Sequence, residues 1–134
     1  MLKKIKVFKD NRGQVIKMIN RNDRFFKKFG EIYFSTILPG KIKAWRKHKK
    51  NTCNLMLLKG NVVVKLIKNN KIITIKLTER KKKLLRINRN IWFGIKNVGK
   101  VEGIIVNLID NLHNDNEVER LKTNYFKEII WKKI

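Results

Sequence analysis

Runs of β-branched and aromatic residues recur along this chain, with turn residues between them about every eight to twelve positions. The clearest turn sequences are Asp10-Asn11-Arg12-Gly13, Pro39-Gly40 and Lys59-Gly60-Asn61. The predicted strands are 5–8, 14–19, 31–38, 41–45, 53–59, 61–67, 72–77, 84–88, 91–97 and 103–109. Many short strands at this spacing predict an all-β sandwich or barrel.

The chain is predicted to fold as a single domain over residues 1–134. Its length is enough for one hydrophobic core, and no linker, repeat or low-complexity segment divides it. The character of the sequence changes after Leu112, and residues 113–134 are predicted to carry a short C-terminal helix.

The formal net charge of +24 suggests nucleic acid as a first partner. The composition gives another explanation, because 26 lysines, 19 isoleucines and 16 asparagines stand against one alanine and one proline, as expected of a very AT-rich genome. The lysines are spread along the chain, with denser groups at 68–83 and at Lys47, Lys49 and Lys50. Nucleic-acid binding therefore stays a remote alternative, and a small phosphorylated ligand would suit the same positive field.

No apolar run reaches the roughly 20 residues of a membrane-spanning helix, so membrane insertion is not expected. The N-terminus MLKKIKVFKD has no long apolar stretch or cleavage site, which indicates a first strand and a cytoplasmic protein. The single cysteine, Cys53, excludes an internal disulfide and agrees with a reducing compartment. Its position in a strand favours a small buried hydrophobic residue over a reactive thiol.

The middle of the chain has the spacing of a metal-binding barrel motif, Gly40-(x5)-Arg46-x-His48-(x4)-Cys53-(x6)-Gly60. It resembles the first cupin motif, which has His at the position of Arg46 and Glu at the position of Cys53. The resemblance implies a cupin-type β-barrel, or jelly roll.

A second cupin motif corresponds to Asn88-x-Asn90-(x2)-Phe93-(x3)-Asn97. Across both motifs His48 is the one ligand position that is retained. A single imidazole does not supply the three or four ligands that transition metals normally require. We therefore expect no metal and no cofactor.

Longer blocks are similar to the cupins related to dTDP-4-dehydrorhamnose 3,5-epimerase, over about residues 10 to 121. They comprise the D-x-R-G turn at 10–13, FGEIYFSTILPGKIKAWRKHKKNT at 29–52, W-x-G-x-K-N at 92–97, and NEVERL at 116–121. The resemblance implies a metal-independent epimerase or isomerase with an RmlC-like jelly roll. Its substrate would be a dTDP-type 4-keto sugar of surface-polysaccharide biosynthesis, and it would be a homodimer that exchanges N-terminal strands.

The chain departs from this group at the catalytic positions. The resemblance places the group's histidine base at Arg46, its enolate-binding lysine at or near Cys53, and its tyrosine acid near 105–106, where no phenol occurs. An arginine stays protonated at physiological pH and cannot act as a base. These changes favour a second reading, in which the chain is a non-catalytic sugar-nucleotide-binding or regulatory cupin.

The remaining candidates for proton transfer are His48, Arg46 and Tyr33. Alternation along β-structure would place Ile42, Ala44, Arg46 and His48 on one face, inside the barrel, and Lys43, Trp45 and Lys47 on the other. His48 could then act as base, Arg46 could stabilise an enolate, and Tyr33 is the nearest phenol. A site with one histidine suits 3,4-ketoisomerisation better than 3,5-epimerisation. His113 lies in a polar segment and is expected at the surface.

The substrate-binding candidates follow from the same resemblance. They are Arg12, Lys43, Trp45, Asn54, Trp92, Asn97 and Arg120. Arg12, Lys43 and Arg120 would contact the diphosphate, Arg12 from the neighbouring subunit. The two tryptophans could stack on a base or a sugar, although aromatic residues in a barrel wall are usually part of the core.

Overall fold

The computed structural model describes residues 1–126 and 131, and these residues are nearly all β-structure. Antiparallel strands form two five-stranded sheets and a separate hairpin. The strands are β1 (Leu2–Lys4), β2 (Lys6–Asp10), β3 (Gly13–Lys17), β4 (Glu31–Ile37), β5 (Ile42–His48), β6 (Cys53–Lys59), β7 (Asn61–Lys68), β8 (Lys71–Thr78), β9 (Lys83–Ile87), β10 (Trp92–Asn97), β11 (Gly103–Ile109) and β12 (Val118–Arg120). A 3₁₀ turn, Asp115–Glu117, precedes β12.

The two large sheets pack face to face around the main core. The first sheet has the order β1-β9-β6-β11-β4 and the second has the order β12-β5-β10-β7-β8. From β4 onward most successive strands alternate between the sheets, as in a jelly roll. Alternate residues of β6 and β7 face inward and are buried, namely Cys53, Leu55, Leu57, Val62, Val64 and Leu66.

The turn at Gly60 carries the chain from the first sheet to the second. Gly60 has a φ of +100°, a conformation that L side chains rarely adopt. A Cβ at this position would also lie 3.1 Å from the Cα of Gly103, at the start of β11. Glycine therefore allows both the turn and the close approach of the two segments.

Each sheet also has a covered outer face. The β2–β3 hairpin and the segment that follows it cover the first sheet, where Ile5 and Phe25 pack with Met56, Leu84 and Val106. The second sheet is covered by aromatic residues, with Trp45 and Trp131 buried and Trp92 and Phe126 packed against them. The apolar surface of both sheets is thus buried on two sides over much of its area.

The predicted all-β jelly roll is confirmed, and the first predicted strand is divided into β1 and β2 at the buried Ile5. The predicted C-terminal helix falls in part on 127–130 and 132–134, which lie outside the described residues. Between 113 and 126 the chain forms the 3₁₀ turn and β12 instead. Among the described residues, no helix has the length and hydropathy needed to cross a membrane.

Candidate active site

An irregularity in the pairing of β5 with β10 decides which residues face the barrel interior. Phe93 pairs with Arg46 and Gly94 pairs with Ala44, so Trp45 is an extra residue in β5. Such a bulge reverses the alternation of side chains on its N-terminal side. Ile42 and Ala44 consequently pack on the outer face with Trp45, whereas the sequence pattern predicted both on the inner face with Arg46. Lys43, which was predicted on the outer face, instead lies opposite Ile95, a residue that packs against the main core.

Beyond the bulge, Arg46 and His48 share the inner face, as the sequence predicts. Arg46 lies directly opposite Phe93, a residue of the main core. The His48 ring is stacked on the Phe93 ring, with 6.0 Å between the ring centroids. The imidazole is therefore held against the apolar wall of the barrel.

His48 is paired with a buried carboxylate. Its Nδ1 lies 2.8 Å from Oε2 of Glu117, and both side chains are only 4% exposed. The pair forms because β12 runs antiparallel to β5, with Val118 opposite His48. The 3₁₀ turn before β12 thereby places Glu117 next to the imidazole.

Glu117 is held in its charged form. Burial acts to raise the pKa of the Glu117 carboxyl, but hydrogen bonds from His48 and from the backbone N–H groups of Lys50 and Asn51 outweigh it, and the net pKa is lowered. The two backbone bonds to Oε1 measure 3.1 and 2.9 Å. A charged carboxylate favours a proton on Nδ1 of His48, which leaves Nε2 as an acceptor.

Nε2 of His48 is buried and has no hydrogen-bond partner among residues 1–126 and 131. The sequence analysis missed Glu117, although its NEVERL segment was already matched to the epimerase-related cupins. The sequence alone does not show that this segment pairs with β5, and that pairing is what places Glu117 beside His48.

Tyr33 lies on β4 and contacts Asn107, the residue directly opposite on β11. Nδ2 of Asn107 donates a hydrogen bond of 2.8 Å to the Tyr33 hydroxyl oxygen. Burial raises the pKa of Tyr33, and the charge of Arg46 acts in the opposite direction. The phenol therefore stays protonated and can donate a proton. Sequence reasoning missed Asn107 because it lies inside the apolar run GIIVNLI.

Cys53 is buried in the core at the start of β6. Burial raises the pKa of its thiol to about 12, so the neutral thiol prevails at physiological pH. The expectation of a small buried hydrophobic residue agrees with this position.

Arg46 supplies the positive charge of this interior. Its side chain is half-buried, and its charge acts on the pKa values of both Tyr33 and Cys53. Within the described part of the chain no carboxylate forms an ion pair with it. A half-buried guanidinium without a carboxylate partner is suited to bind an anionic oxygen.

Lys43 and the two tryptophans lie away from this cluster. Lys43 is exposed near the start of β5, and its Nζ donates a hydrogen bond of 2.6 Å to the carbonyl of Thr36. Trp45 is 1% exposed on the outer face, and its Nε1 donates to the carbonyl of Thr123. Trp92 also packs on the outer face, with Nζ of Lys47 5.1 Å from its ring centroid.

The other sequence-predicted residues are dispersed. Asn54 is buried and donates to the carbonyl of Phe25, and Asn97 is buried and binds the carbonyls of Ile37 and Val101. Arg12 is exposed at the tip of the β2–β3 hairpin, where it pairs with Asp10, and Arg120 is exposed on β12. His113 is exposed beside Asp115, as expected. The structure thus groups His48, Arg46 and Tyr33 in the barrel interior and places Arg120 directly opposite Arg46 in the pairing of β12 with β5, whereas the other six substrate-binding candidates lie elsewhere.

No group of three or more His, Cys, Asp or Glu side chains suited to a metal ion occurs within residues 1–126 and 131. In the described part of the chain, the polar interior includes the His48–Glu117 pair, Arg46 and the Tyr33–Asn107 pair. This set can move a proton between a carbon and an oxygen and can stabilise negative charge on an oxygen.

Solved structures of dTDP-sugar isomerases and epimerases share this arrangement of strands. A dTDP sugar isomerase from Desulfovibrio desulfuricans matches with a TM-score of 0.93 and 26% sequence identity, over 100% of this chain and 91% of that protein. A sugar 3,4-ketoisomerase from Thermoanaerobacterium thermosaccharolyticum, in complex with TDP, matches with a TM-score of 0.78 and 20% identity, over 96% and 92% of the two chains. The dTDP-4-dehydrorhamnose 3,5-epimerase from Elizabethkingia anophelis matches with a TM-score of 0.78 and 18% identity, over 98% and 80%.

No protein-family model matches the sequence, and no curated protein sequence matches it either. The fold nevertheless defines the class of protein, which is an RmlC-like cupin. Its fold is that of the dTDP-sugar isomerases, 3,4-ketoisomerases and dTDP-4-dehydrorhamnose 3,5-epimerases, which confirms the resemblance found in the sequence.

Proposed function

We propose that this chain is a metal-independent isomerase of a dTDP-type 4-keto sugar, acting in the biosynthesis of a surface polysaccharide. The observation that carries the proposal is the His48–Glu117 pair inside the barrel, with Nε2 of His48 left as a free acceptor. The similar proteins of known structure include a ketoisomerase solved with TDP and a variant of it solved with TDP-4-keto-6-deoxyglucose, which supports the choice of substrate class.

The three candidate residues have complementary roles in a 3,4-ketoisomerisation. Nε2 of His48 takes the proton from C3 while the Tyr33 hydroxyl gives a proton to the C4 carbonyl oxygen, which forms an enediol. The reverse transfers, from O3 to Tyr33 and from His48 to C4, move the carbonyl to C3 with no net gain or loss of protons or electrons. Arg46 stabilises the negative charge that develops on the oxygen.

Ketoisomerisation fits this interior better than epimerisation at two carbons. Epimerisation requires a proton to return to the opposite face of the sugar, which requires an acid on that side. Among the described residues, His48 is the histidine of the interior, and Tyr33 is already engaged with Asn107 on one wall. In ketoisomerisation one base, His48, can carry the proton from C3 to C4 on one face of the sugar, and this requirement matches the residues present.

The substrate diphosphate is assigned to exposed cations, since Arg46 is the one cation that the described residues place in the barrel interior. Lys43 lies near the start of the strand that carries Arg46 and His48, and Arg120 lies on the neighbouring β12. Arg12 lies at the tip of a hairpin that pairs with neither large sheet, so it would reach the site of a second copy rather than its own. We place the reaction in the cytoplasm, where sugar nucleotides would be supplied.

A second copy is the partner that this arrangement calls for. The outer edge of β4 has no strand partner among the described residues, and Phe34 on that strand is 65% exposed. The β2–β3 hairpin carries the cross-strand pair Phe8 and Val15, both more than half exposed. A homodimer in which the N-terminal hairpin of each copy covers β4 of the other would bury both surfaces.

The test is proton NMR of TDP-4-keto-6-deoxyglucose incubated with the protein in D₂O. The expected product has its carbonyl at C3, and the deuterium content at C4 measures how far the proton on His48 exchanges with solvent before it is transferred. His48→Asn should lower the rate by about a hundredfold or more, the usual contribution of a general base. The matched control is His113→Asn, since His113 is exposed outside the barrel. Full activity in His48→Asn would show that His48 is not the base.

A non-catalytic sugar-nucleotide-binding or regulatory protein is the second candidate function. One specific observation favours it, because Nε2 of His48 is shielded from solvent while the ring is stacked on Phe93. This function predicts calorimetric binding of dTDP without turnover of any 4-keto sugar, and binding that is unchanged in His48→Asn.

A further inference from the structure

A cavity of about 500 Å³ lies at one end of the barrel, where β9 and β11 end and β6 begins. Its lining contains four cationic side chains and three other polar residues. These are Lys27, Lys28, Arg86 and Arg89, with Thr52, Asn88 and Asp110. The cavity is thus separate from Lys43 and Arg12, to which the substrate diphosphate is assigned, and from Arg46 in the barrel interior.

The positive charge of this cavity is not balanced within the described part of the chain. Four cations and one carboxylate leave three net positive charges, and none of the four cations forms an ion pair among residues 1–126 and 131. The carboxylate, Asp110, is already engaged, because its Oδ1 accepts a hydrogen bond of 2.9 Å from the backbone N–H of Thr52. Like charges gathered around a concave surface favour a bound anion.

The nearby N-terminal amine experiences the same positive field. Its pKa is lowered, first by burial and then by the charges of Arg24, Arg86 and Lys68. Among these three cations Arg86 lines the cavity, and its charge disfavours the charged form of the amine. An anion in the cavity would relieve this repulsion.

Arg86 is held in place as an anion-binding group. Its Nε donates a hydrogen bond of 2.9 Å to Oδ1 of Asn88, and its guanidinium lies 6.0 Å from the ring centroid of Phe25. These two contacts fix the plane of the guanidinium and leave its Nη donors for a ligand. A planar arginine that is already oriented loses little entropy when it binds a phosphate with two hydrogen bonds.

We propose that this cavity is a second anion site, which binds a small ligand carrying a diphosphate group. The volume suits a compact, multiply charged group, and four cations with two neutral polar side chains match its charge and its acceptor oxygens. A single-stranded nucleic acid is a poorer match, because the described residues of the lining include no aromatic side chain on which bases could stack. The proposal does not depend on the isomerase reaction.

Isothermal titration calorimetry with inorganic diphosphate tests this site. The double variant R86Q/R89Q removes two of the four cations and should bind about tenfold more weakly or worse, given the usual strength of hydrogen bonds to charged groups. The matched control is K71Q/K76Q, which removes the same charge from exposed positions on β8 and should bind within about twofold of the parent protein. K43Q removes a cation of the proposed substrate site at the other end of β5, so it should leave unchanged the diphosphate binding that R86Q/R89Q removes.

Three results would overturn the proposal. Equal weakening in K71Q/K76Q would mean that diphosphate responds only to the overall charge. Loss of binding in K43Q with normal binding in R86Q/R89Q would place the diphosphate at the substrate site. A short single-stranded oligonucleotide that competes with diphosphate and depends on the same two arginines would assign the cavity to nucleic acid. If R86Q/R89Q does not fold, K27Q/K28Q gives the same test with two exposed side chains.

Discussion

His48 and Glu117 are 69 residues apart in the sequence, and the Nδ1 atom of the histidine lies 2.8 Å from Oε2 of the glutamate. The contact exists because the last described strand, β12, pairs with β5 at the edge of the second sheet. Glu117 also accepts two backbone hydrogen bonds from the loop that follows His48. The Glu117 carboxylate therefore links the start of β12 to the loop at residues 50–51 and to the His48 imidazole through hydrogen bonds.

Glu117→Gln should convert the neutral His48 ring from the tautomer protonated on Nδ1 to the tautomer protonated on Nε2. The amide N–H of glutamine would donate to Nδ1, so the ring proton would move to Nε2 and the acceptor facing the interior would be lost. The nitrogen chemical shifts of the imidazole, measured by NMR, report this change. Glu119→Gln is the control, because Glu119 pairs with Lys47 at the surface. An unchanged tautomer in Glu117→Gln would mean that another group orients the ring.

The stability of the protein should fall in acid because of Glu117. Its pKa in the folded state is lowered from the ordinary value of 4.5, so its stabilising contribution is complete above pH 4.5 and is lost as the pH falls through the folded-state pKa. Urea unfolding between pH 3 and 6 measures this dependence. Glu117→Gln should flatten it, and a dependence of the same slope in the variant would contradict this origin.

The Cys53 thiol should be unreactive in the native protein. Its pKa of about 12 leaves almost no thiolate at pH 8, and the side chain is only 1% exposed. We expect a disulfide reagent such as DTNB to label it only after unfolding in urea. Labelling of the folded protein at the rate of a free thiol would show that this end of β6 opens.

The strands could be predicted well from the sequence because each is a short run of β-branched and aromatic residues bounded by turn residues, and both signals are local. The alternation also placed Arg46 and His48 on one face, and the resemblance to cupins implied that this face is the barrel interior. The sequence could not reveal the bulge at Trp45, because the adjacent apolar residues Ala44 and Trp45 mark a bulge only once the pairing of β5 with β10 is known. Glu117 and Asn107 were missed because their roles depend on which strands pair, and one of them lies inside an apolar run.

Gly94→Ala should destabilise the second sheet. A Cβ at this position would lie 2.6 Å from Cβ of Ala44 and 3.1 Å from the Trp131 ring. Overpacking of this kind costs about 1–3 kcal/mol, which urea unfolding would detect. Ala44→Gly removes the closer contact, so the double variant should recover part of the loss; additive effects of the two changes would contradict the direct contact.

Phe34→Lys should convert the proposed homodimer into monomers. The side chain is 65% exposed on the free edge strand β4, where the hairpin of a second copy would cover it, and a buried unpaired ammonium at that position is costly. Light scattering coupled to size-exclusion chromatography gives the mass in solution, and Leu112→Lys is the control because Leu112 is also exposed but lies beyond the end of β11. Hairpin exchange would be supported if the parent protein and Leu112→Lys are dimers and Phe34→Lys is a monomer. In such a dimer Arg12 at the tip of the hairpin would reach the site of the second copy. A parent protein that is monomeric at micromolar concentration would contradict the proposed homodimer. It would also contradict the proposed contact of Arg12 with the substrate diphosphate, because that contact requires a second copy.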